Sequence, residues 1–341
     1  MLSAPIKLVS NYRDILNVVY MVSNVCNFKC NYCFDGSNEG THRFKEDWNN
    51  VADNLIHLLD YYKQHSIKKK FEISLLGGEP TLWKNLPEFC EKLKLKHNVS
   101  IMIVSNGSRT VEWWEKNSVN FDQVILSFHI QETNIDHFIK IADTLYEKNV
   151  VVTGLVMMDP DRWDDCINAI AKLKTSNNKW AINLQSLEST SKRSVSYTTE
   201  QIDFIKENSL IRRGHWFYLL KNIFKSYYYQ KEPVATFAKG EKRKLSSNEI
   251  MLNEWNQFEG WQCNIGLDCI FIGLDGVISG TCGQLLYGET QNYNLYDSEF
   301  KSKFSPIIKP AICQQQCCLC VSEANLTKET TNKYFHEQDK N

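Results

Sequence analysis

The sequence has little net charge and few of the residues that break regular structure. Its 341 residues include 39 basic and 40 acidic side chains, 15 glycines and seven prolines. A formal net charge of -1 gives no reason to expect nucleic acid as a partner. With 43% hydrophobic residues, the composition is typical of a globular protein. The length predicts about two domains, or one large α/β barrel with an appendage.

Long apolar runs are also missing. The first residues, MLSAPIKLVSNYRDIL, lack the basic start and the unbroken apolar stretch of a secretory signal. No run approaches the roughly 20 apolar residues that are needed to span a bilayer. We therefore expect a cytoplasmic protein that has no membrane partner.

Cysteine, in contrast, is abundant. Without an export signal, the twelve cysteines are not expected to pair as disulfides, so ligation of a metal or cluster is the better explanation. Cys26, Cys30 and Cys33 lie together in VCNFKCNYC, and seven more lie in the last third of the chain. Cys90 and Cys166 fall in helical patterns and are expected to be buried apolar residues.

The pattern of apolar residues predicts an α/β fold. Helical spacing in segments such as WNNVADNLIHLLDYYKQ alternates with short apolar runs that predict strands. Six strands joined by helices form a parallel sheet, since each crossover returns the chain to the same end. We therefore predict a partial (β/α)6 TIM-like barrel. The predicted strands cover residues 17–23, 71–78, 100–107, 123–129, 149–158 and 180–186.

Three regions are predicted along the chain. Residues 12–186 would form the barrel, and residues 187–258 a connecting segment that contains an aromatic helix at 215–229. Residues 259–330 would form a small cysteine-rich domain.

Polar motifs follow four of the predicted strands. VCNFKCNYC follows the first strand, GGEPT ends the second, SNGS the third and SFH the fourth. Each motif alone could be an ordinary turn. Because chemistry in parallel α/β folds collects at the carboxyl ends of the strands, the four together predict one site.

The three-cysteine motif is predicted to be a loop. Asn24, Asn27 and Asn31 compete with helical hydrogen bonding and favour loops. Three thiolates on a loop can bind three irons of a four-iron cluster and leave the fourth iron open. A zinc ion with a fourth ligand from elsewhere is the alternative.

These motifs resemble those of the radical S-adenosylmethionine (SAM) superfamily. The resemblance rests on Cys26-x3-Cys30-x2-Cys33, with Tyr32, and on GGEPT after the second strand, and it spans roughly residues 17–186. It implies the same barrel, a [4Fe-4S] cluster on the three cysteines, SAM on the open iron and an electron donor of the flavodoxin or ferredoxin type. It also implies cleavage of SAM to a 5'-deoxyadenosyl radical that abstracts a hydrogen atom from a substrate carbon.

The resemblance further implies a set of SAM-binding residues. Tyr32 and Phe34 would lie near the adenine, and Gly77, Gly78 and Glu79 would hold the methionine ammonium. Ser105, Asn106 and Ser127 would contact the ribose or the carboxylate. The motifs identify no catalytic residue, although His129 could bind substrate or move a proton.

The cysteines near the carboxyl end suggest a second cluster. LDG predicts a hairpin turn at Asp275 and Gly276 that brings Cys263 and Cys282 together. The Cys263, Gly276 and Cys282 spacing resembles the SPASM and twitch auxiliary-cluster domains, although five residues rather than four separate Gly276 from Cys282.

Two full auxiliary clusters would need eight thiolates, and this region has seven. The resemblance therefore implies one auxiliary [4Fe-4S] cluster, with two clusters or a structural zinc as alternatives. Its predicted ligands are Cys263, Cys282 and two of Cys313, Cys317, Cys318 and Cys320.

The sequence leaves the substrate open. Oxidation, epimerisation and cross-linking all fit an auxiliary cluster. We expect a small metabolite such as a sugar or nucleotide-sugar, because few residues precede Cys26 and leave no space for a peptide-leader-binding domain. The alternatives are a peptide-modifying enzyme, a non-catalytic iron-sulfur electron carrier and a zinc-stabilised binding module.

Overall fold

A computed structural model describes most of the chain. It covers residues 4–10, 14–176, 179–208, 233–245, 247–280, 282–283, 286, 293–318, 324 and 326–330. The chain divides into two compact units. The first unit contains residues 1–19, 53–72 and 227–341, and the second contains residues 20–52 and 73–226.

Strands and helices alternate through the first two thirds of the chain. After β1 at Pro5–Val9, the elements are β2 (Ile15–Ser23), α1 (Trp48–His65), β3 (Lys70–Gly77), α2 (Leu86–Lys96), β4 (Val99–Ser105), α3 (Val111–Asn117), β5 (Gln123–Phe128), α4 (Ile135–Glu147), β6 (Val151–Met158), α5 (Trp163–Ser176), β7 (Ala181–Ser186) and α6 (Thr199–Asn208).

The later elements are shorter. They are β8 (Val234–Phe237), β9 (Lys242–Lys244), α7 (Ser247–Leu252), β10 (Gln262–Cys263), β11 (Cys269–Ile272), β12 (Ile278–Ser279), α8 (Phe300–Lys303), β13 (Ala311–Ile312) and β14 (Lys328–Glu329).

Most residues of the predicted strands lie in the second unit, which is an α/β layer. Neighbouring strands follow the order β2-β3-β4-β5-β6-β7, and β4/β5, β5/β6 and β6/β7 are parallel. The predicted α/β class with a parallel sheet is therefore confirmed, and each of the six predicted strands lies within two residues of an observed one. In the described chain β7 is the last strand in this order, so closure into a barrel stays a prediction.

The helices of this unit form where the apolar spacing predicts them. In α4, Phe138, Ile141, Ala142 and Leu145 are buried along one face. The helix begins after Asn134, whose side chain accepts hydrogen bonds from two backbone N–H groups of the first turn. Burial of each large apolar side chain contributes about 1.5–3 kcal/mol, which holds the helix layer on the sheet.

The first unit contains an antiparallel sheet that the sequence does not predict. Its order is β13-β10-β14-β1-β8-β9, so β1 lies inside the sheet between β14 and β8. In this register Cys263 of β10 lies opposite Lys328 of β14, and Lys328 lies opposite Leu8 of β1. These strands have two to five residues, which is too short for a periodic pattern to show.

The predicted hairpin is also present in the first unit. Strands β11 and β12 pair antiparallel, with Ile272 opposite Ile278. Gly276 in the turn has a φ of +88°, and an added side chain there would collide with Tyr296.

Some predictions fall outside the described residues. These include the aromatic helix at 215–229 and Cys320. The predicted domain boundaries stay predictions. Of the helices that the structure describes, every one is too short or too polar to cross a bilayer.

Candidate cofactor site

The cysteine loop follows β2 and is anchored at both ends by one buried asparagine. Asn24 donates from Nδ2 to the carbonyl oxygen of Gly36 at 2.7 Å and to Thr41 Oγ1 at 2.9 Å. Its Oδ1 accepts from the backbone N–H of His42 at 2.7 Å. The three cysteines lie between Asn24 and these partners in sequence. A single side chain therefore closes the loop that carries all three thiols.

The glycine pair at the end of β3 packs against the start of this loop. An added Cβ on Gly77 would collide with the carbonyl oxygen of Ser23, and one on Gly78 with that of Val25. The Gly78 N–H donates to Ser23 O at 2.8 Å, and the Glu79 N–H donates to Val25 O at 2.8 Å. Glycine is required here because the two backbones touch.

The Glu79 side chain is fully buried and joins the turn after β3 to the end of β4. Its Oε1 accepts from the backbone N–H of Thr81 at 3.0 Å, from Thr81 Oγ1 at 2.5 Å and from Ser105 Oγ at 2.8 Å. Its Oε2 accepts from the backbone N–H of Asn106 at 2.7 Å. Burial raises the pKa of this carboxyl, while the hydrogen bonds from Thr81, Asn106 and Ser105 oppose the rise.

Asn106 continues this connection to the first cysteine. Its Nδ2 lies 3.8 Å from Cys26 Sγ and donates to Asn27 Oδ1 at 3.0 Å. The Cys26 thiol also accepts from the backbone N–H of Phe28 at 3.4 Å. A line of contacts thus runs from Glu79 through Asn106 to Cys26.

The second cysteine contacts the end of β5 through His129. The Tyr32 ring stacks on His129 with centroids 5.9 Å apart, and its hydroxyl lies 3.0 Å from His129 Nδ1. Cys30 Sγ lies 3.4 Å from the same nitrogen. Burial lowers the pKa of His129 to about 4, so the ring is neutral near pH 7.

All three thiols have raised pKa values. Burial raises the pKa of Cys26 and Cys33, and it raises that of Cys30 to about 12, with further increases from the charges of Cys33 and Cys26. Iron binds thiolates, so its positive charge would offset these penalties when the thiols lose their protons. Three partly enclosed thiols on one anchored loop are a donor set that fits a four-iron cluster.

Residues 187–198, the covering segment, pack on the cysteine loop. Leu187 and Val195 belong to the same apolar cluster as Cys30 and Tyr32. Ser191 donates to Asp35 through its N–H at 3.0 Å and its hydroxyl at 2.6 Å.

Arg193 fixes the covering segment by charge. Its two terminal nitrogens donate to both carboxylate oxygens of Asp159, at 3.0 and 2.5 Å, and one also contacts Asp161 at 2.5 Å. The guanidinium lies 5.9 Å from the centre of the Tyr32 ring. Asp159 has no exposed surface and follows β6, so this pair joins the segment to a strand end.

The structure brings most, but not all, of the predicted SAM-binding residues into contact with the cysteine loop or the strand ends. The contacts above bring together Tyr32, Gly77, Gly78, Glu79, Ser105 and Asn106 at the strand ends. Ser127 is 7% exposed in β5, whereas the Phe34 side chain is 61% exposed. Their roles toward SAM stay predictions, and four protein donors already surround the Glu79 carboxylate.

A separate group of thiols occurs in the first unit. A recess is lined by four cysteines together with Ile265, Gln315 and Lys328. The four cysteines are Cys263, Cys282, Cys313 and Cys318.

The other cysteines of the described chain lie outside this recess. Cys317 is exposed, and its Sγ accepts from Asn256 Nδ2 at 2.9 Å. Cys269 is buried in β11, and Cys90 and Cys166 are fully buried in α2 and α5, as expected for the last two. Among the residues that the structure describes, no group of three or more His, Cys, Asp or Glu could hold a single metal ion.

Sequence reasoning missed three residues at these sites. In the sequence Asn24 indicates only a loop, and no pattern marks Arg193 or Lys328. Arg193 pairs with Asp159 across 34 residues, a separation at which single-sequence patterns carry no signal. For Asn24 the signal was present, since an asparagine that directly follows a strand is a frequent loop anchor.

The cysteine loop lies in a part of the chain that is similar to known proteins. Residues 20–173 match the family model described as the radical SAM superfamily. An S-adenosylmethionine-dependent nucleotide dehydratase from Thermoplasmatales archaeon strain ISO4-H5 is 34% identical over 89 residues, which is 26% of this chain and 28% of that protein. The radical SAM cyclopropyl synthase TigE from Paramaledivibacter caminithermalis is 26% identical over 244 residues, covering 62% of this chain and 51% of that protein.

A solved structure, Streptococcus suis SuiB bound to S-adenosylmethionine, matches with a TM-score of 0.46 and 17% identity, over 85% of this chain and 63% of that one. The chain spans about a quarter to a half of the length of the two curated relatives above. Both of those relatives bear the names of enzymes. The match to the radical SAM superfamily model, over residues 20–173, includes both the three-cysteine loop and the glycine pair.

Proposed function

We propose that this protein binds a [4Fe-4S] cluster at Cys26, Cys30 and Cys33 and cleaves SAM reductively. The observation that carries the proposal is the anchored cysteine loop, in which Glu79 and Asn106 connect Cys26 to the ends of β3 and β4. When bound, the cluster and SAM together supply a 5'-deoxyadenosyl radical for abstraction of a hydrogen atom.

In this proposal, the side chains around the cysteine loop position the cofactors. Asn24 and the glycine pair fix the loop, and Tyr32 offers an aromatic face beside it. The covering segment packs on Cys30 and Tyr32 and excludes water from that side of the loop. Low dielectric and fixed geometry are the protein's main contributions when a cofactor carries the difficult step.

We also propose one auxiliary [4Fe-4S] cluster, held by Cys263, Cys282, Cys313 and Cys318. The observation that supports this second proposal is that the four thiols line one recess. Four thiolates are a complete ligand set for such a cluster. Cys317 is assigned no role as a ligand because it lies outside the recess and faces solvent.

The proposed substrate is a small metabolite that carries a nucleotide or sugar, and the proposed outcome is an oxidation, epimerisation or cross-link after hydrogen abstraction. Two observations support a small substrate. The covering segment encloses one side of the cysteine loop, and the first relative described above is named for a nucleotide reaction.

The test of SAM cleavage uses anaerobically reconstituted protein with dithionite as reductant. We expect wild-type protein to form 5'-deoxyadenosine, measured by liquid chromatography and mass spectrometry. The triple variant C26A/C30A/C33A should form none. C90A is the matched control, since it removes a thiol that is fully buried away from the loop, and it should retain cleavage.

Three outcomes would overturn the proposal. If the triple variant forms as much 5'-deoxyadenosine as wild-type protein, the three cysteines are not needed for cleavage of SAM. No cleavage by iron-loaded wild-type protein would favour a non-catalytic electron carrier. Colourless protein that binds zinc but no iron would instead favour a zinc-stabilised module.

A further inference from the structure

Lys328 is a buried lysine that lines the four-cysteine recess. It is 1% exposed, and it lies directly opposite Cys263 in the pairing of β14 with β10. Opposed residues in an antiparallel pair place their side chains on the same face of the sheet. Lys328 and Cys263 accordingly contribute to the wall of the same recess.

Two of the residues around this lysine are buried and apolar. Its Nζ lies 4.9 Å from the centre of the Phe258 ring, and Leu8, which is fully buried, lies opposite it on the other flank. A lysine is rarely buried to this degree, because removal of its ammonium from water is costly. We therefore expect the buried ammonium of Lys328 to have a specific electrostatic role.

The neighbouring lysine of the same sheet is much more exposed than Lys328. Lys7 of β1 is paired with Glu329 at 2.8 Å, and both side chains are substantially exposed. Lys7 and Lys328 lie at adjacent positions of the β1 and β14 pairing, so their side chains project from opposite faces of the sheet. Solvent screens the charge of Lys7, whereas the charge of Lys328 acts in a medium of low dielectric constant.

We infer that Lys328 raises the reduction potential of the auxiliary cluster, an inference that rests on the proposed cluster at Cys263, Cys282, Cys313 and Cys318. A cluster with four thiolate ligands gains one further negative charge when it takes up an electron. A fixed positive charge beside it stabilises the reduced form more than the oxidised form, because the attraction grows with the charge of the cluster. Lys328 thereby favours this cluster as an acceptor of electrons rather than a donor.

The experiment measures the potential of the auxiliary cluster by itself. All variants are made in the C26A/C30A/C33A background, so that only the auxiliary cluster is reconstituted. The midpoint potential is followed by electron paramagnetic resonance in a redox titration. We expect K328M to shift the potential to a more negative value. K328R retains the charge and should keep the potential near that of the background.

K7M is the matched control, because it removes one positive charge from the same sheet at an exposed position. It should leave the potential unchanged. If K328M does not fold, K328Q tests the same loss of charge with a polar side chain. Circular dichroism establishes that each variant has the fold of the background.

The outcomes separate the inference from the proposed function. If the background protein binds no iron, the auxiliary cluster is absent, and both the cluster and the role of Lys328 are overturned. If the cluster forms and K328M or K328Q leaves its potential unchanged, only the role of Lys328 is overturned. A shift of equal size in K7M would show a general charge effect and would also overturn it.

Discussion

The two groups of thiols in this protein are built in opposite ways. The three cysteines of the loop after β2 lie within eight consecutive positions, and one asparagine closes the loop around them. The four cysteines of the recess come from residues 263 to 318 and depend on short strands and irregular segments. The first group is therefore local in sequence, and the second exists only after distant parts of the chain have come together.

This difference determines how each group tolerates change. A local loop needs its anchor and the backbone contacts at its base, two of which come from Gly78 and Glu79 after β3. A dispersed recess needs the sheet order of the whole first unit, including β14 and β1. Variants that remove thiols from each group, or the contacts that hold the first, can test the contrast.

The largest expected effect is on iron content. Two four-iron clusters correspond to about eight irons per chain. We expect C26A/C30A/C33A and C263A/C282A/C313A/C318A each to lose about half of that iron, as measured by colorimetric iron and sulfide assays. About four irons per chain in wild-type protein would mean that the auxiliary cluster is absent, and about twelve would indicate a third cluster.

The next effect concerns two adjacent cysteines. Cys318 lines the recess, whereas Cys317 is exposed and lies outside it. We expect C318S to lose the auxiliary cluster and C317S to keep it, with the iron assay and the visible absorption spectrum as measurements. Equal loss from both variants would show that the recess does not define the ligand set.

A smaller effect is expected where the covering segment is fixed to the second unit. R193M leaves the carboxylate of Asp159, which has no exposed surface, without its charged partner. We expect the free energy of unfolding to fall by about 3 kcal/mol, together with faster hydrogen exchange in residues 187–198.

K192M is its matched control within the same segment. Lys192 and Glu39 are both exposed and lie 3.8 Å apart, so loss of this pair should cost less than about 0.5 kcal/mol. Equal stability of R193M and K192M would mean that the pair of Arg193 with Asp159 does not hold the covering segment in place.

The smallest predicted effect is at Glu79. E79Q keeps the shape of the side chain, but it turns an NH2 group toward donors that the carboxylate satisfied. We expect a loss of about 1–2 kcal/mol in the free energy of unfolding, measured with urea. The exposed E115Q, which affects only a surface pair with Lys148, should change stability by less than about 0.5 kcal/mol. An E79Q protein as stable as wild type would show that the link from β3 to β4 does not depend on the carboxylate.

Much of the second unit could be predicted from the sequence because its signals are local. Buried parallel strands read as apolar runs, and the spacing of Cys26, Cys30 and Cys33 identifies the loop without knowledge of distant contacts. The hydrogen bonds by which Glu79 joins the end of β3 to the end of β4 could not be predicted in this way. Its carboxylate meets Ser105 and Asn106, which lie more than twenty residues further along the chain.

The first unit could be predicted only in part. The hairpin of β11 and β12 has a turn signal at Gly276 and was recognised. Strands β10, β13 and β14 have two residues each, so no periodicity marks them. For that reason the sequence could not choose Cys313 and Cys318 over Cys317, a choice that depends on which side chains face the recess.

The pairing of β1 with β14 has a consequence for the order in which the protein acquires its structure during synthesis. Lys7 and Glu329 are 322 positions apart, so β1 leaves the ribosome long before its neighbour exists. The strand that carries Cys263 pairs with the same late strand. Contacts of such long range form slowly, because a large loop must close first. The second unit, whose last residue is 226, can begin to fold while the chain is still growing, and the recess has to wait until residue 329 has been added.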